Sequence, residues 1–318
     1  MKLARPRVSV CIATYNQAPF IADSVLSVLA QDDAGVEVLV GDDGSSDGTR
    51  EIVAALADRF PGRFLPVLRT GNIGGTENYQ DLVRRATGDF IAHLDGDDAW
   101  LPGKLRAQVD FLLAHADCPA VYTNAVALDA AGRLLGPFTN AHPARMPLGY
   151  VAARGNYLMH SSMMYRAAHR EVFTAPPPPV IDYAIHLAFA RLGPLGFIDR
   201  ALAVYRVGTP TSTVRTRYEF VQQLLWAALR EAGAHLDAPL RREAATHFFA
   251  EVLVARVQGK AGPNPALDQE LAQAAGCSKA VLMARAGPVL ARLGAAAIQR
   301  YAWRAAGLPE RLAVHARV

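Results

Sequence analysis

Residues 88–98 read Gly-Asp-Phe-Ile-Ala-His-Leu-Asp-Gly-Asp-Asp. Phe90, Ile91, Ala92 and Leu94 form a short apolar run, with the length and composition of a strand buried inside a sheet. The run ends on Asp95, Asp97 and Asp98, whose carboxylates repel one another unless something neutralises them. A divalent cation does so: Mg²⁺ and Mn²⁺ take oxygen ligands and keep positions for water or substrate phosphates. The carboxyl end of a strand is also where open α/β sheets bind ligands. An isolated Asp-x-Asp is more often a solvated turn, so the surrounding chain has to decide.

Upstream, apolar runs predict strands at residues 8–13, 36–40 and 64–68. Helical spacing of Phe20, Ile21, Val25, Leu26 and Leu29 predicts a helix after the first. Ile52, Val53 and Leu56 predict another after the second, opened near Thr49 with Asp47 as its cap. A third helix follows Asn72-Ile73-Gly74-Gly75 and runs to about residue 86. This alternation predicts a Rossmann-like α/β fold with a mostly parallel, doubly wound sheet. Downstream, a helix opens at Pro102, a strand spans 120–128, and Gly132 and residues 136–147 read as loop. A Met-rich apolar stretch fills 155–165, and Pro176, Pro177, Pro178 and Pro179 read as a rigid extended segment. Residues 180–192 read as helix and 197–207 as strand and turn. From Tyr218 the pattern is entirely helical, which places a boundary near 215 and divides the chain into 1–215 and a helical region, 216–318.

With 318 residues, 51% hydrophobic and 19% charged, the chain has the composition of an ordinary globular protein. The net charge of +4 suits phosphate-bearing ligands or an anionic surface and is too weak to argue for nucleic acid. Cys11, Cys118 and Cys277 are far apart and odd in number, so they predict reduced thiols in a cytoplasmic protein rather than a disulfide framework. No apolar run reaches about 18 residues, and no membrane-spanning helix is expected.

Several motifs, taken in order, resemble the GT-A-fold family 2 nucleotide-sugar glycosyltransferases. They are Pro6-Arg7-Val8-Ser9-Val10 with Ala13-Thr14-Tyr15-Asn16, Asp42-Asp43-Gly44-Ser45-Ser46-Asp47-Gly48-Thr49, Asn72 with Gly74-Gly75, Gly88-Asp89-Phe90-Ile91, Leu94-Asp95-Gly96-Asp97-Asp98, and Trp100-Leu101-Pro102. Each is weak alone; their order and spacing carry the resemblance, over roughly residues 6 to 210. The resemblance implies that Thr14, Tyr15, Asn16 and an Asp of the Asp42–Asp43 pair hold the base and ribose, with Asn72, Asn78, Asp95 and Gly96 also at the nucleotide. A carboxylate facing a pyrimidine imide N–H selects uracil over cytosine, which favours a UDP-sugar donor. Asp97 and Asp95 are the implied metal ligands for Mn²⁺ or Mg²⁺, and Trp100 reads as packing.

Inverting relatives carry an Asp or Glu base at the start of a helix in the second half of the domain. Asp182 matches that position, although an Asp there also suits an N-cap. Two positions depart from the family: Ile181 stands where many relatives have Glu or Gln, and Gly208 where many have a metal-approaching His. His160 is a substitute candidate for the third metal contact. The resemblance thus implies an inverting, metal-dependent transferase acting on a glycan or lipid-linked glycan, as in bacterial surface polysaccharide synthesis. A nucleotide-sugar-binding subunit without strong activity fits the departures. A sugar nucleotidylyltransferase fits less well, because Ala13-Thr14-Tyr15-Asn16 is not a Gly-rich phosphate loop. Arg285, Arg292, Arg300 and Arg304 lie near one face of the helical tail, which Gly287-Pro288 is expected to interrupt. Such a helix suits a peripheral membrane contact, a packing face or a homodimer contact.

Overall fold

Four apolar strands build one half of the sheet: β1 (Val8–Thr14), β2 (Val36–Asp42), β3 (Phe64–Leu68) and β4 (Phe90–Asp95). The computed structural model describes residues 6–31, 35–129, 131–208 and 218–305, with side chains to 295. In it these strands run parallel in the order β3-β2-β1-β4. Helices α1 (Ile21–Leu29), α2 (Thr49–Arg59) and α3 (Gly75–Arg85) make the crossovers. Side chains alternate between two cores. Cys11, Leu39 and Ile91 enter one; Val10, Val38, Val40 and Leu94 enter the other. Burial on both faces is why these strands are apolar throughout. The register pairs Thr14 with Asp42 and Ala13 with Asp95, so the loops leaving β1, β2 and β4 emerge together at one edge.

The second half holds β5 (Ala99–Trp100), α4 (Lys104–Ala114), β6 (Ala120–Leu128), β7 (Leu134–Pro137), β8 (Arg145–Met146) and α5 (Leu148–Arg154). It continues through β9 (Met164–Arg166), α6 (Glu171–Thr174), α7 (Asp182–Leu192) and β10 (Leu195–Arg206). The sheet extends as β4-β9-β6-β10-β5, with β7 on β6 and β8 on β10. β9 is antiparallel to both neighbours, and β10 is parallel to β6. The mostly parallel α/β sheet is therefore as expected, with differences in the second half. Residues 136–147, expected as loop, carry β8 and the end of β7, and the Met-rich stretch ends in β9. These strands are two to four residues long and are set by pairing with distant partners, so their local pattern is too short to register. The four-proline run contains a cis peptide at Pro178–Pro179 instead of extending uniformly.

Beyond the sheet lie α8 (Tyr218–Gly233), α9 (Ala238–Val257), α10 (Pro265–Ala274) and α11 (Lys279–Ala305). Asp237 caps α9 by accepting from the Leu240 N–H at 2.9 Å, and Asn264 caps α10 through the Leu267 N–H at 3.1 Å. Trp226, Phe248, Phe249 and Leu282 join the same core as Cys11 and Tyr122, with α8 against α7 and α9 against α5. The boundary expected near 215 lies outside the described residues, as do the side chains of Arg300 and Arg304. Pro288 does not interrupt the tail: α11 continues through it. A proline inside a helix costs about 3 kcal/mol. Leu282 and Ala286, fully buried, hold the helix to the core just before the proline, which is how it survives. No helix among the described residues is long and apolar enough to cross a membrane.

Candidate active site

The edge where β1, β2 and β4 end opens into a cavity of about 400 Å³. Its walls include Thr14, Tyr15, Asp43, Asn72, Asn78 and Asp95 from the first half of the fold, with His160 and Asp182 from the second. Six of the expected nucleotide-site residues and the expected base thus meet in one place.

The two loops at the nucleotide end are tied to each other. Asn16 adopts φ of 52°, a left-handed conformation that Asn tolerates. Its N–H donates to Ser45 Oγ at 2.8 Å, and its Oδ1 accepts the Ser46 N–H at 2.9 Å. Asn16 therefore braces the loops and is not part of the cavity wall. Thr14 donates to Gln17 Oε1 at 2.9 Å. Gly96 packs into this corner: a Cβ there would lie 2.4 Å from Gln17 Oε1 and 2.7 Å from the Thr14 side chain. Asp42 is fully buried, accepting the Ser45 N–H at 3.2 Å, and its Oδ1 has no hydrogen-bond partner among the described residues. Asp43 reaches the cavity. Its two oxygens hold the Asn72 loop by accepting the N–H groups of Ile73 and Gly74, at 2.8 and 3.0 Å. Each carboxylate oxygen has a second lone pair, so this bracing leaves acceptor capacity. Asn78 is engaged at both ends, donating to Gly41 O at 2.8 Å and accepting from Arg69 Nε at 2.9 Å. Asp47 serves the start of α2 as expected: it accepts from the Thr49 N–H at 3.1 Å.

At the acidic end the three aspartates differ. Asp95 is half-open, with 44% of its side chain exposed. Its Oδ1 lies 3.1 Å from His93 Nε2, and its Oδ2 accepts from Ser161 Oγ at 2.8 Å. Partial burial favours its protonated form, but the His93 charge and hydrogen bonds from His93 and Ser161 outweigh it, holding the carboxyl below its ordinary range. Asp97 is half-buried on the turn after β4, where Arg206 Nη1 donates to its backbone carbonyl at 2.7 Å. Asp98 is buried; Ser161 Oγ lies 2.6 Å from its Oδ2, and its Oδ1 accepts the Arg206 N–H at 3.0 Å. Burial, then Asp97 and Asp95, push its carboxyl well above the usual range. Asp98 is an anchor for the turn. Trp100 is buried and donates to Ser161 O at 2.8 Å, a packing role as expected.

Ser161 thus bridges two carboxylates, and no short-range pattern marked it. Replacing it with alanine strips Asp98 of a buried partner, which costs about 1–3 kcal/mol. Ser161→Ala is expected to lower the urea midpoint by that amount with an unchanged slope.

Asp182 is the first residue of α7 and not its N-cap, which is Ile181. It opens on the cavity, yet its surroundings push its carboxyl to about 6, first by burial and then by the Asp95 charge, with His93 acting in the opposite direction. One turn on, His186 is buried, and its Nε2 lies 3.2 Å from His160 Nδ1. The His160 ring packs on His93 with centroids 4.1 Å apart. Burial and the neighbouring histidines hold His160 well below its usual range, and His186 down to about 3. His160, the candidate third metal contact, is one member of this stacked cluster. A histidine within the otherwise apolar β4 was the one visible sign of it. Among the described residues no three His, Cys, Asp or Glu side chains are placed to hold a metal ion. The donor set fits a cation only in the mode where one or two carboxylates share it with substrate phosphates and water, the mode Mg²⁺ prefers.

The family model described as Glycosyl transferase family 2 matches residues 9–168, a span that includes the Asp95–Asp98 turn. The chain belongs to glycosyl transferase family 2. Among family relatives, a UDP-Glc:alpha-D-GlcNAc-diphosphoundecaprenol beta-1,3-glucosyltransferase of Escherichia coli, WfgD, is 37% identical over 108 residues, covering 34% of this chain and 42% of its own. The chain spans less than two thirds of the length of the curated relatives it matches. Staphylococcus aureus TarS 1–349, solved with UDP-GlcNAc, shares the fold at a TM-score of 0.54 and 18% identity, over 75% of this chain and 70% of that one. The mannosyltransferase PcManGT from Pyrobaculum calidifontis, solved with GDP-Man and Mn²⁺, does so at 0.51 and 20% identity, over 95% and 79%. The GT-A fold of this family 2 chain is therefore shared with both.

Proposed function

We propose that the protein is an inverting, metal-dependent glycosyltransferase that moves one sugar from a nucleotide-sugar donor to an acceptor hydroxyl. One observation carries the reading: Asp95 and Asp182, one carboxyl held below its usual range and the other raised to about 6, line the same cavity. Two carboxylates pushed in opposite directions are suited to different tasks, one to charge and one to proton transfer.

In this reading Thr14, Tyr15, Asn72 and Asp43 bind the base and ribose, while Asn16, Asn78 and Gly96 keep the loops in place. Asp97 and Asp95 hold Mn²⁺ or Mg²⁺, which when bound neutralises charge on the departing diphosphate. His93 and Ser161 fix the orientation of the Asp95 carboxylate. Asp182 takes the proton of the acceptor hydroxyl as that oxygen attacks the sugar from the face opposite the leaving group. Residues 1–215 form the catalytic unit and 216–318 a helical region that supports α5 and α7. A uridine donor is favoured by the carboxylates at the base end and by the UDP-GlcNAc bound to TarS. The GDP-Man bound to PcManGT keeps guanosine as the competing donor. A lipid-linked glycan acceptor, reached from the cytoplasmic side, follows the activity named for WfgD.

Thermal shift against UDP, GDP, CMP, dTDP and UDP-sugars, with and without Mn²⁺, tests this directly. Stabilisation by one nucleotide that depends on metal is expected, since a ligand that binds only the folded state at a hundred times its Kd adds about 2.7 kcal/mol. A flat response to every nucleotide would leave only the fold in common with the family's enzymes.

A further inference from the structure

A second cleft, of about 450 Å³, lies between the end of α5, the first turns of α9 and the middle of α11. Arg154, Arg242, Arg285 and Arg292 all line it. Arg285 and Arg292 stand seven residues apart on α11, two turns along one helix face. Arg154 is stacked on Tyr150, its guanidinium carbon 3.7 Å from the ring centroid, and Arg242 Nε donates to Ala275 O at 3.1 Å. Two of the four guanidiniums are thus held in place before any ligand arrives.

None of the four has a carboxylate partner among the described residues. Elsewhere Arg69, Arg191, Arg206 and Arg256 each do. Glu243 is the one acid in the lining, and buried His247 sits at the floor, tied to Glu251. Four guanidiniums against one carboxylate leave the cleft strongly positive, a potential that concentrates anions. The planar guanidinium fork matches phosphate oxygens bidentately, and it does so better than any other side chain.

We infer that this cleft is a binding site for phosphate or diphosphate groups, separate from the sugar-transfer cavity. The group can arrive on a soluble compound or as the headgroup of an anionic lipid; the chemistry that recognises it is the same.

The test uses the full chain and three proteins: wild type, R285Q/R292Q, and R59Q/R63Q as a control with the same charge change on exposed arginines far along the sequence. Calorimetric titration with inorganic pyrophosphate reads the soluble source. Co-sedimentation with vesicles of phosphatidylcholine, alone or mixed with phosphatidylglycerol, reads the lipid source. An affinity about tenfold lower in R285Q/R292Q than in both other proteins is expected in at least one arm, the effect of losing two charge-assisted contacts. Loss in the pyrophosphate arm assigns the site to soluble phosphates, and loss confined to mixed vesicles assigns it to lipid headgroups. Equal binding by all three proteins, or an equal loss in both variants, overturns the site and leaves net charge as the only attraction. Neither arm measures sugar transfer, so failure here is independent of the proposed activity.

Discussion

Asp182→Asn is expected to reduce sugar transfer by about 10²–10⁴-fold, the contribution of a positioned general base, while leaving nucleotide binding unchanged. Asparagine keeps the shape of the side chain at the start of α7 and removes only the ability to accept a proton. The pH profile separates this from a loss of shape. The Asp182 carboxyl is raised to about 6, so the wild-type rate should climb as pH rises through 6 and level off above it, where the base is ionised. The variant's residual rate should show no such limb. Stability should move the other way. A carboxyl whose folded value lies above its unfolded one adds stability below the unfolded value, near 3.8, and that contribution is lost as pH rises through about 6. At pH 7.5 the ionised Asp182 therefore gives the fold no linkage stabilisation to lose. The melting temperature of Asp182→Asn at that pH should not fall below that of wild type. Full transfer activity in a folded Asp182→Asn chain would remove the base assignment.

What could be read from the chain divides along physical lines. Strands buried on both faces announce themselves, and β1, β2, β4 and β6 appear where their apolar runs end. The Asp95–Asp98 turn and the loops after β1 and β2 were legible because each is a local motif at the end of such a strand. β5 and β9 were not, because two or three residues carry no period and their placement comes from partners distant in sequence. The site shows the same division. Asp182 stood out by position, but its neighbours did not. His160 and His186 are brought beside His93 only when β9 inserts next to β4 and α7 closes over the cavity, a contact between elements far apart in the chain. Asp98 read as a cap from its place in the motif. The fold instead buries it against Ser161 and the Arg206 backbone, and this settles which of the three aspartates stays out of the solvent.

That division bears on Asp97→Ala, the other change with a large expected effect. The turn that carries Asp97 is held by its own backbone carbonyl, which accepts from Arg206, while Arg206 also pairs with Asp23 at 3.0 Å and donates its N–H to Asp98. Truncating the Asp97 side chain leaves these anchors in place, so the variant should melt close to wild type in the absence of nucleotide. Its loss should appear only with metal present. If Asp97 holds the cation that bridges to the diphosphate, Asp97→Ala should lose transfer to the detection limit. It should also lose most of the roughly 2.7 kcal/mol that saturating nucleotide with Mn²⁺ adds to the fold. Weak metal-free binding, through the base and ribose contacts of Thr14, Tyr15 and Asp43, should survive unchanged. Asp182→Asn should show the opposite behaviour, with full metal-dependent stabilisation and no transfer. The two variants together separate donor binding from chemistry: an Asp97→Ala chain that keeps the wild-type Mn²⁺-dependent shift would move the cation away from this turn.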